Sequence, residues 1–230
     1  PLRDRDGAPA PLIVRPHPGP THNWELRFDT EVQFFTSRGY AVADVDYRGS
    51  TGYGRAFRKA LDGQWGTIDV ADCRAAALHF IASGRAMPQA VFISGASAGG
   101  YTALRAACLS DSPFAVSVAR SSIIDPRGWT QTAPRFQQPH AAILSGEDSF
   151  IAAADVKRPV LLIHGGRDNI APASNVVDLA AELDRRDLLL ACVVFPDAGH
   201  SLSAFNQRAE TLRAELDAYE AVLRSCGLRR

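Results

Sequence analysis

The sequence predicts an α/β fold with a mostly parallel, doubly wound sheet and helices on both faces. Two observations carry that expectation. Short runs rich in aliphatic residues alternate with helical patterns along most of the chain, and the runs are apolar almost throughout, as strands covered on both faces must be.

The expected strands are Leu12–Arg15, Ala41–Asp46, Ala90–Ser94, Phe114–Ala119, Val160–His164 and Leu189–Phe195. Between them, Phe28–Arg38 reads as a helix stopped by Gly39, and Thr67–Ser83 as one stopped by Gly84. Tyr101–Leu109 forms another helical stretch. Near the end, Leu212, Leu216, Tyr219 and Leu223 recur at helical spacing and mark one apolar stripe able to cover the sheet. Two segments break the rhythm: Tyr47–Gly66, rich in Gly, Arg and aromatics, and Ser121–Val156, with prolines at 126, 134 and 139. Long connections of that kind usually serve function, so both are expected to border a site. Pro1–Pro11 carries three prolines and no periodicity, which reads as a linker or truncated start before a domain over residues 12–230.

Composition narrows the partners. Lysine plus arginine equals aspartate plus glutamate at 25 each in 230 residues, so no global charge favours nucleic acid or an anionic membrane. No apolar run reaches the ~18 residues of a membrane span. No signal segment opens the chain, which leaves the compartment open with the cytoplasm favoured. The four cysteines, Cys73, Cys108, Cys192 and Cys226, are widely spaced without a C-x-x-C pair and are expected as buried thiols. Neither metal-ligand spacing nor a dinucleotide fingerprint is present, and no cofactor is expected.

The chemistry is concentrated in Gly95-Ala96-Ser97-Ala98-Gly99, a G-x-S-x-G turn entered by the apolar run Val91–Ser94 and left by a helical stretch. In that context the motif is a nucleophile elbow and makes the fold an α/β-hydrolase. The turn needs small neighbours, and here they are all Gly or Ala. A serine hydroxyl requires a histidine to take its proton and a carboxylate to orient that histidine, and in this fold both follow the serine in the chain. That order excludes His17, His22 and His79. His140 lies in the proline-rich connection, and His164 ends a strand, where packing or a local hydrogen bond is expected. His200, in Phe195-Pro196-Asp197-Ala198-Gly199-His200-Ser201, follows the last strand and is the candidate base. Asp168, in His164-Gly165-Gly166-Arg167-Asp168, is the candidate acid, with Asp197 as a weaker competitor.

Together with Tyr47-Arg48-Gly49-Ser50-Thr51-Gly52-Tyr53-Gly54, the motifs GASAGG, HGGRD and DAGH resemble the catalytic domain of the prolyl oligopeptidase family, nearest its acylaminoacyl and dipeptidyl peptidase branch. The likeness runs from about Pro11 to the C-terminal helix. It implies a serine peptidase acting on short peptides through Ser97, His200 and Asp168. It also implies an oxyanion hole from the Ala98 amide plus a second donor, either the Tyr53 hydroxyl or the Gly19 amide in His17-Pro18-Gly19-Pro20. Pro18 departs from the family's H-G-G-P, since it lacks an N–H and biases His17 toward extended geometry. The family usually carries an upstream β-propeller, which 230 residues cannot also hold. The first edge strands of the fold are accordingly expected to be missing or to lie upstream. Ile123, Ile124, Trp129 and Phe136 are candidates either for an apolar pocket or for loop core. An esterase or thioesterase acting on a small acyl substrate, and a catalytically impaired binding module, are the competing readings.

Overall fold

A computed structural model describes residues 7–133, 135, 138–146 and 150–228. Its centre is a sheet of six strands, all paired in parallel, in the order β2-β1-β3-β4-β5-β6. The strands are β1 (Ala10–Pro16), β2 (Ala41–Val45), β3 (Ala86–Ala96), β4 (Val116–Arg120), β5 (Val160–Gly165) and β6 (Leu189–Phe195). Each expected strand is present. The first begins at Ala10 and pairs there with Ala86, so Ala10 and Pro11 belong to the sheet and not to a linker. Residues 1–6 of the expected linker lie outside the described residues.

The helices are α1 (Thr30–Thr36), α2 (Arg55–Lys59), α3 (Ile68–Ala82), α4 (Ala98–Ala107), α5 (Pro126–Thr132), α6 (Gln138–Leu144), α7 (Ala173–Asp184) and α8 (Phe205–Ser225). Successive strand residues point to opposite faces. In β1, Leu12 and Val14 join a core built with α3, α4 and α7, while Ile13 joins a second core built with α1 and α8. On that second face the Tyr219 ring stacks on Phe92 at 4.3 Å, and Leu212 and Leu216 pack around them as the C-terminal stripe requires. Strand order reverses direction between β1 and β3. In such sheets the crevice outside the carboxyl ends of the strands, at the reversal, receives ligands.

Within the connection 121–156, expected as a loop, the described residues form two short helices, α5 and α6. Asp125 caps α5 by accepting from the Gly128 N–H at 2.9 Å, and Pro126 supplies the preset φ of a first helical residue. Its prolines therefore start helices as well as break them. Within Tyr47–Gly66 the short α2 interrupts a run of turns. The cysteines are free, but only Cys73 is fully buried; Cys226 caps the end of α8 in solvent, where no core remains to cover it.

Candidate active site

Ser97 stands between β3 and α4 with φ 54° and ψ −115°, a conformation that costs an L-residue energy. Its neighbours explain how the turn survives. A Cβ on Gly95 would lie 2.3 Å from the Gly99 backbone, and one on Gly99 would lie 2.4 Å from the Pro16 carbonyl of β1. Glycine at both positions lets the elbow close against its own helix and the adjacent strand. The Ser97 N–H donates to the Arg120 carbonyl at 2.8 Å, fixing the turn to the end of β4.

The structure brings Ser97, His200 and Asp168 together. His200 Nε2 lies 2.9 Å from Ser97 Oγ, and His200 Nδ1 lies 2.8 Å from Asp168 Oδ2. The other Asp168 oxygen accepts the N–H groups of Ile170 and Ala171, each at 2.9 Å. Burial opposes the Asp168 charge, but the His200 hydrogen bond, those two amides and the His200 charge outweigh it and hold the carboxyl below its ordinary range. A neutral imidazole donating from Nδ1 to this carboxylate presents a lone pair at Nε2, able to take a proton from an attacking alcohol.

The loops bearing Asp168 and His200 meet because two glycines let them. A Cβ on Gly165 would sit 2.1 Å from the Gly199 carbonyl, and one on Gly166 would sit 2.8 Å from that of Pro196. The Gly166 and Arg167 amides then donate to Phe195 and Ala198, both at 2.8 Å. The competing carboxylate, Asp197, turns outward to pair with Arg167 at 2.6 Å. His164 points its Nε2 at the Ala171 carbonyl, 2.9 Å away, and burial lowers its pKa. His140 instead contacts Thr21 Oγ1 at 3.2 Å.

The Ala98 N–H belongs to the first turn of α4, where no intrahelical acceptor exists. Tyr53 is 57% exposed and donates its hydroxyl to Asp46 at 2.6 Å, and neither Tyr53 nor Gly19 lies on the cavity wall at Ser97. Gly19 occupies a turn with φ 82°. Its carbonyl is 2.9 Å from Nδ1 of His17, whose ring is fully buried and stacked on Tyr47 at 4.3 Å. Burial, set against a hydrogen bond to Gly19 and the charge of Asp46, lowers the His17 pKa to about 4. His17 Nε2 lies 2.7 Å from Ser50 Oγ, and that hydroxyl donates its own hydrogen to the Tyr47 carbonyl at 2.7 Å.

One cavity opens at the triad, and a second lies against the residues that follow Asp168. The first, of about 360 Å³, is lined by Ser97, His200, Trp24, Arg15, Glu31 and Arg120, among others. The other, about 250 Å³, is lined by Ile123, Ile124, Trp129, Ile170 and Ala171. Phe136 lies outside the described residues. Beneath the first cavity runs an ion-pair network that the sequence reading passed over. Arg15 holds Asp44 at 2.7 Å and Asp29 at 2.9 Å, while Arg120 holds Glu31 at 3.0 Å and Glu215 at 3.4 Å. A signal existed, since arginine at 15 and 120 interrupts apolar strand patterns and Glu215 sits beside the apolar stripe of α8.

The sequence from residue 26 to 225 matches the prolyl oligopeptidase family. The chain belongs to that family. Dipeptidyl aminopeptidase BIII of Pseudoxanthomonas mexicana is 27% identical over 90% of this chain and 33% of its own length. The acylamino-acid-releasing enzyme of Arabidopsis thaliana is 29% identical over 84% of this chain and 28% of its own. Among solved structures, a Mycobacterium tuberculosis puromycin-hydrolyzing peptidase superposes with a TM-score of 0.88 at 33% identity, covering 93% of this chain and 35% of that one. The chain thus spans about a third of the length of these family members. Among the described residues no helix is long and apolar enough to cross a membrane, and no group of His, Cys, Asp or Glu is arranged to hold a metal ion.

Proposed function

We propose that this chain is the peptidase domain of a longer protein and hydrolyses amide bonds of short peptides by acyl transfer to Ser97. The observation that carries the reading is the unbroken hydrogen-bonded series from Ser97 Oγ through His200 to Asp168, opening onto a cavity. Ser97 Oγ attacks the scissile carbonyl while its proton passes to His200 Nε2. Asp168 holds the ring in the productive tautomer and stabilises the imidazolium. The developing oxyanion is received by the Ala98 and Gly19 N–H groups, with the α4 N-terminus adding its dipole. His200 then protonates the departing nitrogen, the C–N bond breaks, and water repeats the sequence in reverse to free Ser97. The cavity lined in part by Ile123, Ile124 and Trp129, beside the Asp168 loop, takes the side chain of the acyl residue. The names of the family members support peptides as the substrate class, and their length supports a further domain, for which the family resemblance implies an upstream β-propeller that selects among substrates.

The test is a fluorophosphonate probe followed by matched substrates. Labelling of the natural full-length protein that vanishes in Ser97→Ala supports acyl transfer, whereas a folded protein that takes no label is a binding module. A peptide amide and the ester of the same acyl group are then compared, with puromycin, for which a structural neighbour is named, as a further amide. Turnover confined to the ester replaces the peptidase reading with an esterase.

A further inference from the structure

The cavity against His200 is lined by charged side chains, and their pairing points to an occupant. If acyl transfer proceeds as proposed, His200 must hand its proton to the leaving nitrogen, so the leaving portion of the substrate lies against the imidazole. The wall there is made by Ser201 and Leu202, which follow His200, together with Ala96, Arg208 and Thr211. Three polar side-chain atoms of this wall, Arg120 Nε, Ser121 Oγ and Thr211 Oγ1, are buried without a hydrogen-bond partner among the described residues. Ser121 is 3% exposed and Thr211 5%.

The charges of the same wall are matched except at one place. Asp29 and Glu31 line the cavity, but each is engaged by an arginine: Asp29 by Arg15 at 2.9 Å, and Glu31 by Arg120 at 3.0 Å. They are poorly placed to take a substrate ammonium in addition. Arg208 is different. It donates from Nη2 to the Thr30 hydroxyl at 2.7 Å, and no carboxylate among the described residues lies within ion-pair distance of it. A neutral tether at one nitrogen leaves the rest of the guanidinium fork for a planar anion.

We propose that Arg208 is a specificity-determining residue of the leaving-group subsite and that it receives the C-terminal carboxylate of the peptide being cleaved. The enzyme then favours bonds close to a free carboxyl end, where the departing amino acid or dipeptide carries its own anion. The reaction balances as an ordinary hydrolysis: the C–N bond breaks, the nitrogen takes the proton from His200, and the zwitterionic product leaves as its carboxylate parts from Arg208. This rests on the acyl-transfer reading, and the closing experiment separates the two.

Peptides sharing one acyl portion are offered to the full-length protein with a leaving residue, or a leaving dipeptide, that ends in either a carboxylate or a carboxamide. A p-nitroanilide of the same acyl portion serves as the common reference. In the wild type, kcat/KM for the better acid should exceed its amide by about tenfold or more, as expected for a charge-assisted hydrogen bond. In Arg208→Met that ratio should fall to about one, and Arg208→Lys, which keeps the charge but loses the fork, should lie between. Equal rates on acid and amide in the wild type, or a preference that survives Arg208→Met, overturns the assignment even while the anilide is cleaved. Failure to cleave the anilide, with no fluorophosphonate labelling of Ser97, overturns the acyl-transfer reading on which it rests.

Discussion

The N–H of Ser97 donates to the carbonyl of Arg120 at 2.8 Å, and the side chain of that same Arg120 is held by Glu31 and Glu215. A strained residue is thus pinned through one hydrogen bond to a strand end that is itself locked by charge. Strain of this kind, of order 1–3 kcal/mol, should be measurable. Ser97→Ala and Ser97→Gly both remove the hydroxyl and should both abolish turnover. Glycine alone tolerates φ 54° with ψ −115°, so the glycine variant should be the more stable of the two by about 1 kcal/mol in urea melts. Equal midpoints would show that the elbow is relaxed.

The contact between the β5 and β6 loops sets a second expectation. Gly165→Ala would press a methyl against the Gly199 carbonyl, where only 2.1 Å is open. Backbone must move, at a cost of about 3 kcal/mol, and the movement separates Asp168 from His200. Denaturant midpoint and probe labelling should fall together. A variant that is destabilised yet labels at the wild-type rate would mean that the loops open without disturbing the site.

Asp168→Asn keeps the shape but offers an amide where the ring needs an acceptor for Nδ1–H. The turnover number should fall by on the order of 10³–10⁴ with the melting temperature little changed. A loss under tenfold would assign the orienting role to another group, of which Asp197, paired outward with Arg167, is the least suited.

For the oxyanion, the two donors considered from sequence now separate. Tyr53→Phe removes a hydroxyl already given to Asp46 and should leave kcat within about twofold. Gly19→Ala places a side chain at φ 82° with its Cβ 3.3 Å from that of His22, so it should shift the Gly19 amide and lower kcat by roughly 10²–10³. The reverse pattern would return the role to Tyr53.

His17 makes stability depend on pH. Its folded-state pKa, about 4, lies below the ordinary 6.5 because burial disfavours the cation. Between those values the unfolded chain binds more protons, so stability falls as pH drops from 6.5 toward 4 and levels below it, by roughly 3 kcal/mol in all. Asp69, raised to about 6 chiefly by burial, works in the opposite direction. The comparison is therefore between wild type and His17→Gln, whose urea midpoint should decline less over the same range. Parallel curves would rule out His17 as the source.

The positions of the six strands and the identity of Ser97, His200 and Asp168 as candidates could be read along the chain, because apolar runs and a Gly-Ala elbow are local patterns. The helices α5 and α6 were hidden by their prolines, which signal a break unless the capping Asp125 is recognised as well. The direction of the Tyr53 hydroxyl was not legible either, because it is set by Asp46, seven positions away and across a turn.

Residue order alone thus settled the layering of strands and helices and which side chains are chemically equipped, since periodicity and turn chemistry act within a few residues. How those side chains meet, which of them already have partners, and which wall of the cavity is left with unpaired donors came from folding. Hydrogen bonds and ion pairs between residues tens of positions apart, such as Ser97 with His200 or Arg120 with Glu215, form only when packing brings distant strands and helices to one edge.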